Sequence, residues 1–245
     1  MHLPRPRAMR TDPAAQVGPP GTRRMALSVV IAARGDAEQL GRCLASLAGA
    51  DRRGLDLEII VVAPDGPDGL DAVAEAHGAA LIRLAASRGA RFAAGAKAAT
   101  AEWMLMLRSE TRLDRGWDAT VMVFAAEARN RERAGYFPLE VVGAPGASRT
   151  IRLRQLWMGL PTGAQGPIMR RRFLVHLGGM ADLERGEDLV LARTLGRKRM
   201  ALFDIAVRVD AEDWPTGAGA VLLGLLRLIL FRLHVPARWL QRLGD

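Results

Sequence analysis

Residues 27–63 read LSVVIAARGDAEQLGRCLASLAGADRRGLDLEIIVVA. The run Leu27–Ala33 is short, apolar and β-branched, the pattern of a strand covered on both faces. From Asp36 to Leu47 the apolar residues Leu40, Cys43, Leu44 and Leu47 recur at helical spacing. Leu57–Ala63 is a second buried run. The alternation continues with a turn at 64–69, a helix from Leu70 to His77, a strand from Ala79 to Leu84, an Ala-rich helix from Arg88 to Thr100 and a strand from Trp103 to Leu107. Tyr136–Val142 and Met200–Val209 read as two further strands. Strand–helix alternation predicts an α/β fold with a mostly parallel sheet. Ligands of such sheets bind beyond the carboxyl ends of the strands, so the segments after Ala33, Ala63 and Leu107 are expected on one rim.

A chain of 245 residues with 49% hydrophobic side chains fits one domain, or one domain plus a tail. The single cysteine, Cys43, excludes an internal disulfide framework and a multi-cysteine zinc site, and its place in a helical pattern predicts a small buried residue. Four histidines are too few and too scattered for a metal cluster. The net charge of +9 would suit nucleic acid, anionic lipid or a phosphorylated substrate. Only Lys97 and Lys198 among the 35 basic residues are lysines, so the arginine excess also fits a compositional bias. Aromatics make up 5% and Tyr136 is the one tyrosine, so no aromatic and basic strip resembles an RNA-binding surface and no nucleic-acid partner is expected.

Residues 1–24 are rich in Pro and Arg, lack periodicity and have no signal-like apolar core, which predicts a disordered extension ahead of a domain at 25–215. Residues 216–245 form a separate apolar and basic segment. Its stretch GAGAVLLGLLRLILFRL, 217–233, is interrupted by Arg227 and is too short to span a bilayer. Arg232, His234, Arg238, Trp239 and Arg242 follow. A basic helix with an apolar face suits a membrane surface, through 217–243, as well as it suits a final core helix. The expected location is cytoplasmic, peripheral on the inner face of a membrane. Gly89–Lys97 and Gly217–Gly224 imitate phosphate loops, but their spacings match neither a P-loop nor a dinucleotide fingerprint.

The tract Leu160–Leu195, LPTGAQGPIMRRRFLVHLGGMADLERGEDLVLARTL, places a Gly-rich turn, a short apolar segment and then Glu184, Glu187 and Asp188 at the start of a helix. A carboxylate in such a place can serve as a general base. Acidic residues in a first helical turn are also ordinary capping chemistry. Spacing alone leaves both open.

This tract resembles the acceptor-side half of family-2 glycosyltransferases, and more narrowly a bacterial subfamily reading roughly LPYGDQGLFVRR…F…GGFP…MEDVEL.RRL. The residues that carry the resemblance are Leu160, Pro161, Gly163, Gln165, Gly166, Arg170, Arg171, Phe173, Gly178, Gly179, Glu187, Asp188 and Leu189. The resemblance implies a GT-A type α/β fold with a C-terminal apolar helix. It also implies transfer of a sugar from a nucleotide-diphosphate sugar to an acceptor hydroxyl with inversion. It places the catalytic base at Asp188, with Glu187 and Gln165 positioning the acceptor. On the donor side it implicates Asp36, Asp68, Arg88, Arg108 and Ser109, with Glu110 holding a divalent cation, Mg²⁺ or Mn²⁺, and Arg88 or Arg108 offsetting leaving-group charge; alternatively Arg108 meets phosphate directly.

The donor side departs from the family. Where the subfamily reads HADT, this chain has Arg108-Ser109-Glu110-Thr111. Ala63 stands where an Asp contacts the base, Ala93 replaces an Asn and Ala164 replaces an Asp. Glu212-Asp213-Trp214 inverts the charge of an Arg-Arg-Trp-like motif. Two accounts fit: a different donor or a metal-light pocket, or a family member that has lost catalysis and serves as a binding or scaffold protein. A nucleotidyltransferase is a further alternative, but it wants a Gly-rich, Arg-containing loop after the first strand, and Arg34-Gly35 is a poor stand-in.

Overall fold

The structure, a computed structural model, describes residues 24–50, 53–66, 69–158 and 160–214, with Leu226, Leu230, Val235 and Trp239. The apolar runs form β1 (Met25–Ala32) and β2 (Leu55–Ala63), separated by α1 (Ala37–Ser46). Then come α2 (Leu70–Ala76), β3 (Ala80–Arg83), α3 (Arg88–Ala98) and β4 (Trp103–Arg108). The second half contains β5 (Arg112–Leu113), α4 (Trp117–Ala126), β6 (Ala134–Tyr136), β7 (Leu139–Val142) and α5 (Pro145–Met158). It ends with β8 (Ile168–Arg170), α6 (Arg171–His176), α7 (Glu187–Leu195), β9 (Met200–Leu202) and β10 (Val207–Asp210).

Seven strands make one sheet in the order β3-β2-β1-β4-β8-β6-β9. β1 to β4 are mutually parallel, and β8 runs antiparallel to both β4 and β6. Ala32, Ala63 and Arg108 therefore end their strands on one rim, as the alternation predicts. The central strands are covered on both faces. Leu27, Val29 and Ile31 of β1 join Leu40, Cys43 and Leu44 of α1 in one core. Val30 and Ala32 face the other way, with Phe92 of α3, Met104, Met106 and Tyr136. Cys43 is fully buried, as expected.

The two long strands expected at 136–142 and 200–209 are each broken. β6 and β9 belong to the large sheet, whereas β7 and β10 join β5 in a three-stranded sheet of order β5-β10-β7. Pro138 lies at the first break and has no N–H to continue a ladder. Its carbonyl instead accepts from Val207, while Phe137 N donates to Gln165 O and Phe203 N donates to Tyr136 O. Both chains cross between sheets at this point, sealed by the edge-on rings of Phe137 and Phe203, 4.9 Å apart.

The extension expected at 1–24, but for Arg24, and most of the helix expected at 216–245 lie outside the described residues. Leu230 and Val235 of that segment pack against Leu160, Leu189 and Ala192. Among the described residues no helix is long and apolar enough to cross a membrane.

Candidate functional site

Helix α7 starts where Gly186, at φ 90°, turns the chain in the left-handed region. Asp188 in its first turn is half-buried. Its Oδ2 accepts a hydrogen bond from Gly163 N at 2.8 Å and its Oδ1 one from Leu189 N at 2.9 Å. The carboxylate borders a crevice walled by Phe92, Met106, Tyr136, Pro167, Met180 and Leu191. The crevice holds about 10 Å³, space for a single water and not for a sugar ring. Burial, and then the charge of Asp188, raise the Tyr136 hydroxyl far above its usual range, so it faces the crevice as a neutral group.

The neighbouring Glu187 is 1% exposed and is gripped by Arg88, with Nε–Oε1 at 2.6 Å and Nη2–Oε2 at 2.9 Å. Burial pulls the Arg88 pKa down, but the hydrogen bond and charge of Glu187 outweigh it, and the guanidinium is held above its ordinary value. Burial and the adjacent Asp188 push the Glu187 carboxyl up, against the pull of Arg88. The residues expected to position an acceptor (Glu187) and to bind donor (Arg88) thus spend their polar groups on each other. The same region is clamped further. Arg88 N donates to Glu184 Oε2 at 2.8 Å, Ser87 Oγ to Asp182 Oδ1 at 2.6 Å and Gly89 N to Leu183 O at 3.0 Å. Gly89 is required there, because a Cβ would overlap the Ala181 carbonyl.

Gln165, also expected to position an acceptor, instead faces inward. It is 0% exposed; its Oε1 accepts from Thr162 N at 2.7 Å, and its Nε2 donates to Phe137 O at 2.8 Å and to Gln155 Oε1 at 2.5 Å. It fixes the turn 162–166, and that turn presents Gly163 N to Asp188.

On the rim at the carboxyl ends of the parallel strands, where donor contacts were expected, Asp36 is exposed and caps α1 by accepting from Gln39 N at 2.9 Å. Asp68 lies outside the described residues. Ser109 is 0% exposed and its hydroxyl has no hydrogen-bond partner. Arg108 and Glu110 form an ion pair between side chains 11% and 3% exposed. Burial lowers the Arg108 pKa most strongly, and the charges of Arg88 and Arg34 add to it, while Glu110 and Glu187 oppose it. Asp213, from the charge-inverted motif, stands close enough for its carboxyl to be pushed up by burial and then by Glu110 and Asp210.

The residues present do not fit the expected divalent cation at Glu110. A guanidinium sits against the Oε1 of the one carboxylate offered, and no cluster of three or more His, Cys, Asp or Glu side chains suited to a metal occurs among the described residues. A second cavity, about 360 Å³, is lined by Thr100, Glu102, Arg170, Arg171 and Arg172. It lies beyond the amino end of β4, where Trp103 pairs with Arg170, on the edge of the sheet opposite the rim.

Asp182 and the crevice wall Tyr136 had no part in the expected site, and Glu184, read with Glu187 and Asp188 as an acidic cluster opening a helix, instead lies ahead of α7 and accepts from Arg88 N. Gly89 beside Arg88 was the available signal for a close approach, but its partner segment lies more than 90 residues away along the chain.

The profile of glycosyl transferase family 2 matches residues 28–131. The match covers the first half of the chain, β1 to the segment after α4, and leaves the tract of Asp188 outside. No curated protein sequence matches the chain. Among solved structures, S. aureus TarS in complex with UDP-GlcNAc is similar at a TM-score of 0.62 and 15% identity, over 84% of this chain and 65% of that one. Glucosyl-3-phosphoglycerate synthase from Mycobacterium tuberculosis, in complex with Mn²⁺, UDP and glucosyl-3-phosphoglycerate, is similar at 0.60 and 16%, over 86% and 81%. Mannosyltransferase PcManGT from Pyrobaculum calidifontis, with GDP-Man and Mn²⁺, gives 0.60 and 15%, over 84% and 62%. At these identities the likeness establishes a shared α/β fold with a mostly parallel central sheet. The chain spans 39% to 65% of the TarS chains it resembles.

Proposed function

We propose that the chain is a family-2 glycosyltransferase of GT-A type. It moves a sugar from a nucleotide-diphosphate sugar to an acceptor hydroxyl, with inversion at the anomeric carbon. The profile match on the first half of the chain supports this, as does a fold shared with structures carrying UDP-GlcNAc and GDP-Man. The observation that carries the reading is the Asp188 carboxylate at the crevice mouth. Two backbone N–H groups fix its orientation, one per oxygen. A carboxylate has about four lone-pair directions, so each oxygen keeps one for an incoming hydroxyl.

In this mechanism the acceptor proton passes to Asp188 as the hydroxyl oxygen bonds to the anomeric carbon. The bond from that carbon to the diphosphate oxygen breaks on the opposite side, and its electron pair leaves with the nucleoside diphosphate. Gln165 and Glu187 act through position: one holds the turn that grips Asp188, and the other anchors the α7 start to α3. The crevice has to widen to admit substrate, and its Met180 wall belongs to the segment leading from Gly178 and Gly179.

The test is release of nucleoside diphosphate from a panel of UDP-, GDP- and dTDP-sugars. Asp188→Asn is expected to lower turnover by about 10²–10⁴ with donor affinity retained. Unchanged turnover would remove Asp188 from the mechanism.

One observation favours a second reading, a glycosyltransferase-like binding protein without catalysis. Arg88 with Glu187 and Arg108 with Glu110 are already paired, and the crevice is nearly filled. Calorimetry showing no affinity for any sugar nucleotide of the panel would select that reading. We also propose that the apolar and basic segment 217–243 meets the cytoplasmic surface of a membrane. Co-sedimentation with anionic vesicles, lost when that segment is deleted, is the expected result.

A further inference from the structure

We infer that Arg108, in place of a divalent cation, neutralises the diphosphate as it leaves. The inference rests on the transferase reading above and adds to it how the donor is held. Arg108 ends β4 on the rim to which β1 and β2 also deliver their carboxyl ends. A guanidinium has five N–H donors. In Arg108 one nitrogen, Nη2, faces Glu110, while Nε is shut off from water with no hydrogen-bond partner. A buried donor left unmatched in this way is costly, and an anion with several oxygens would satisfy it. The planar guanidinium fork matches phosphate oxygens two at a time. Arg88, one of two guanidinium groups whose charge reaches Arg108, gives its Nε and Nη2 to Glu187, while the other, Arg34, is exposed.

The chemistry asks for positive charge where negative charge gathers. When the anomeric carbon–oxygen bond breaks, the electron pair settles on the diphosphate. A fixed guanidinium in a site closed to water stabilises that charge without reorganising. A divalent cation at the same place would compete with Arg108 for one carboxylate, with like charges at close range in a medium of low dielectric. Glu110 is accordingly the counter-ion that holds Arg108 in the empty site.

The two roles for Glu110 have opposite consequences, and calorimetry of the full chain with UDP, GDP and dTDP, in excess EDTA and again with Mn²⁺, separates them. The expected result is that at least one nucleotide binds in EDTA with an affinity that Mn²⁺ changes by less than about twofold, and that Arg108→Ala weakens it about tenfold or more. Arg108→Lys, which keeps the charge and loses the fork, should recover part of that loss. Glu110→Gln should tighten binding in EDTA, because the guanidinium loses its competing anion. Binding that needs Mn²⁺ and disappears in Glu110→Gln, or binding in EDTA that Arg108→Ala leaves intact, overturns the inference while the transferase reading stands. No binding of any nucleotide in either condition overturns that reading and this inference together. Thermal melts show whether each variant folds, and should Arg108→Ala not fold, Arg108→Lys and Glu110→Gln decide the matter.

Discussion

Glu187 shows how residue identity and residue role come apart. In the sequence it is an acidic side chain in a first helical turn, a pattern that fits capping, acceptor contact or catalysis equally well. Its role is set by Arg88, 99 positions away, and by a burial that leaves it 1% exposed. No local spacing encodes such a pair. Gln165 is the same case: between Gly163 and Gly166 it was expected to position an acceptor, yet its amide is enclosed by Phe137, Thr162 and Gln155. The place of Asp188 in a first helical turn and the closeness of Arg108 to Glu110 were legible, because both are local. The Arg88–Glu187 pair yields a sharp expectation. Removing one partner strands a buried charge, so Arg88→Met should lower unfolding free energy by about 3–5 kcal/mol. Arg88→Met combined with Glu187→Leu removes both charges and should recover much of that loss in urea melts. Equal losses in the single and double variants would mean that the pair matters through the shape of its site and not through charge.

At the scale of elements, the first half of the chain was legible nearly to its boundaries. β1, β2, β4 and the helices between them follow from uninterrupted apolar runs and from helical spacing, and both signals are local. The second half was not, since β6 and β7, like β9 and β10, follow one another within a few residues and are divided between two sheets. Which sheet a segment joins depends on partners elsewhere, here the Phe137–Phe203 contact and the Pro138 carbonyl. The seating of α3 on the sheet makes a test of packing. Gly95 faces β1 so closely that an added Cβ would overlap Val30 Cγ1 and press on Val62 Cγ2 at 3.2 Å. Gly95→Ala gains helix propensity and still should destabilise by about 1–3 kcal/mol, since α3 has to lift off a buried sheet. Gly146→Ala in α5 is the control: nothing lies within 4 Å of its Cβ position. There the propensity gain of up to about 1 kcal/mol should appear unopposed. A stabilised Gly95→Ala would mean that α3 is free to move away from β1, and with it the Arg88 clamp.

For the molecule as a whole, acid is the informative perturbation, because a chain of net charge +9 gains further positive charge as its carboxylates protonate. Asp210 on β10 is held by both terminal nitrogens of Arg112 on β5, each at 2.6 Å. The hydrogen bond to Arg112 keeps its carboxyl below the usual aspartate value, with the charges of Arg112 and then Arg42 helping and burial opposing. A depressed folded-state pKa means that the unfolded chain takes up the proton first as pH falls. The stabilisation is therefore present in full above the ordinary aspartate pKa and is lost as pH drops through the lower, folded value. Asp210→Asn should cost about 0.5–1 kcal/mol at neutral pH, as expected for a partly exposed bidentate pair. The difference from the parent chain should shrink as pH falls below the ordinary aspartate value, about 3.9. The small sheet also abuts the Gly163–Gln165 turn, so loosening β10 reaches the peptide that orients Asp188. Urea melts across that range, read beside turnover at neutral pH, test both consequences. A difference that is constant with pH would show that Asp210 acts through packing and that its pairing with Arg112 adds nothing.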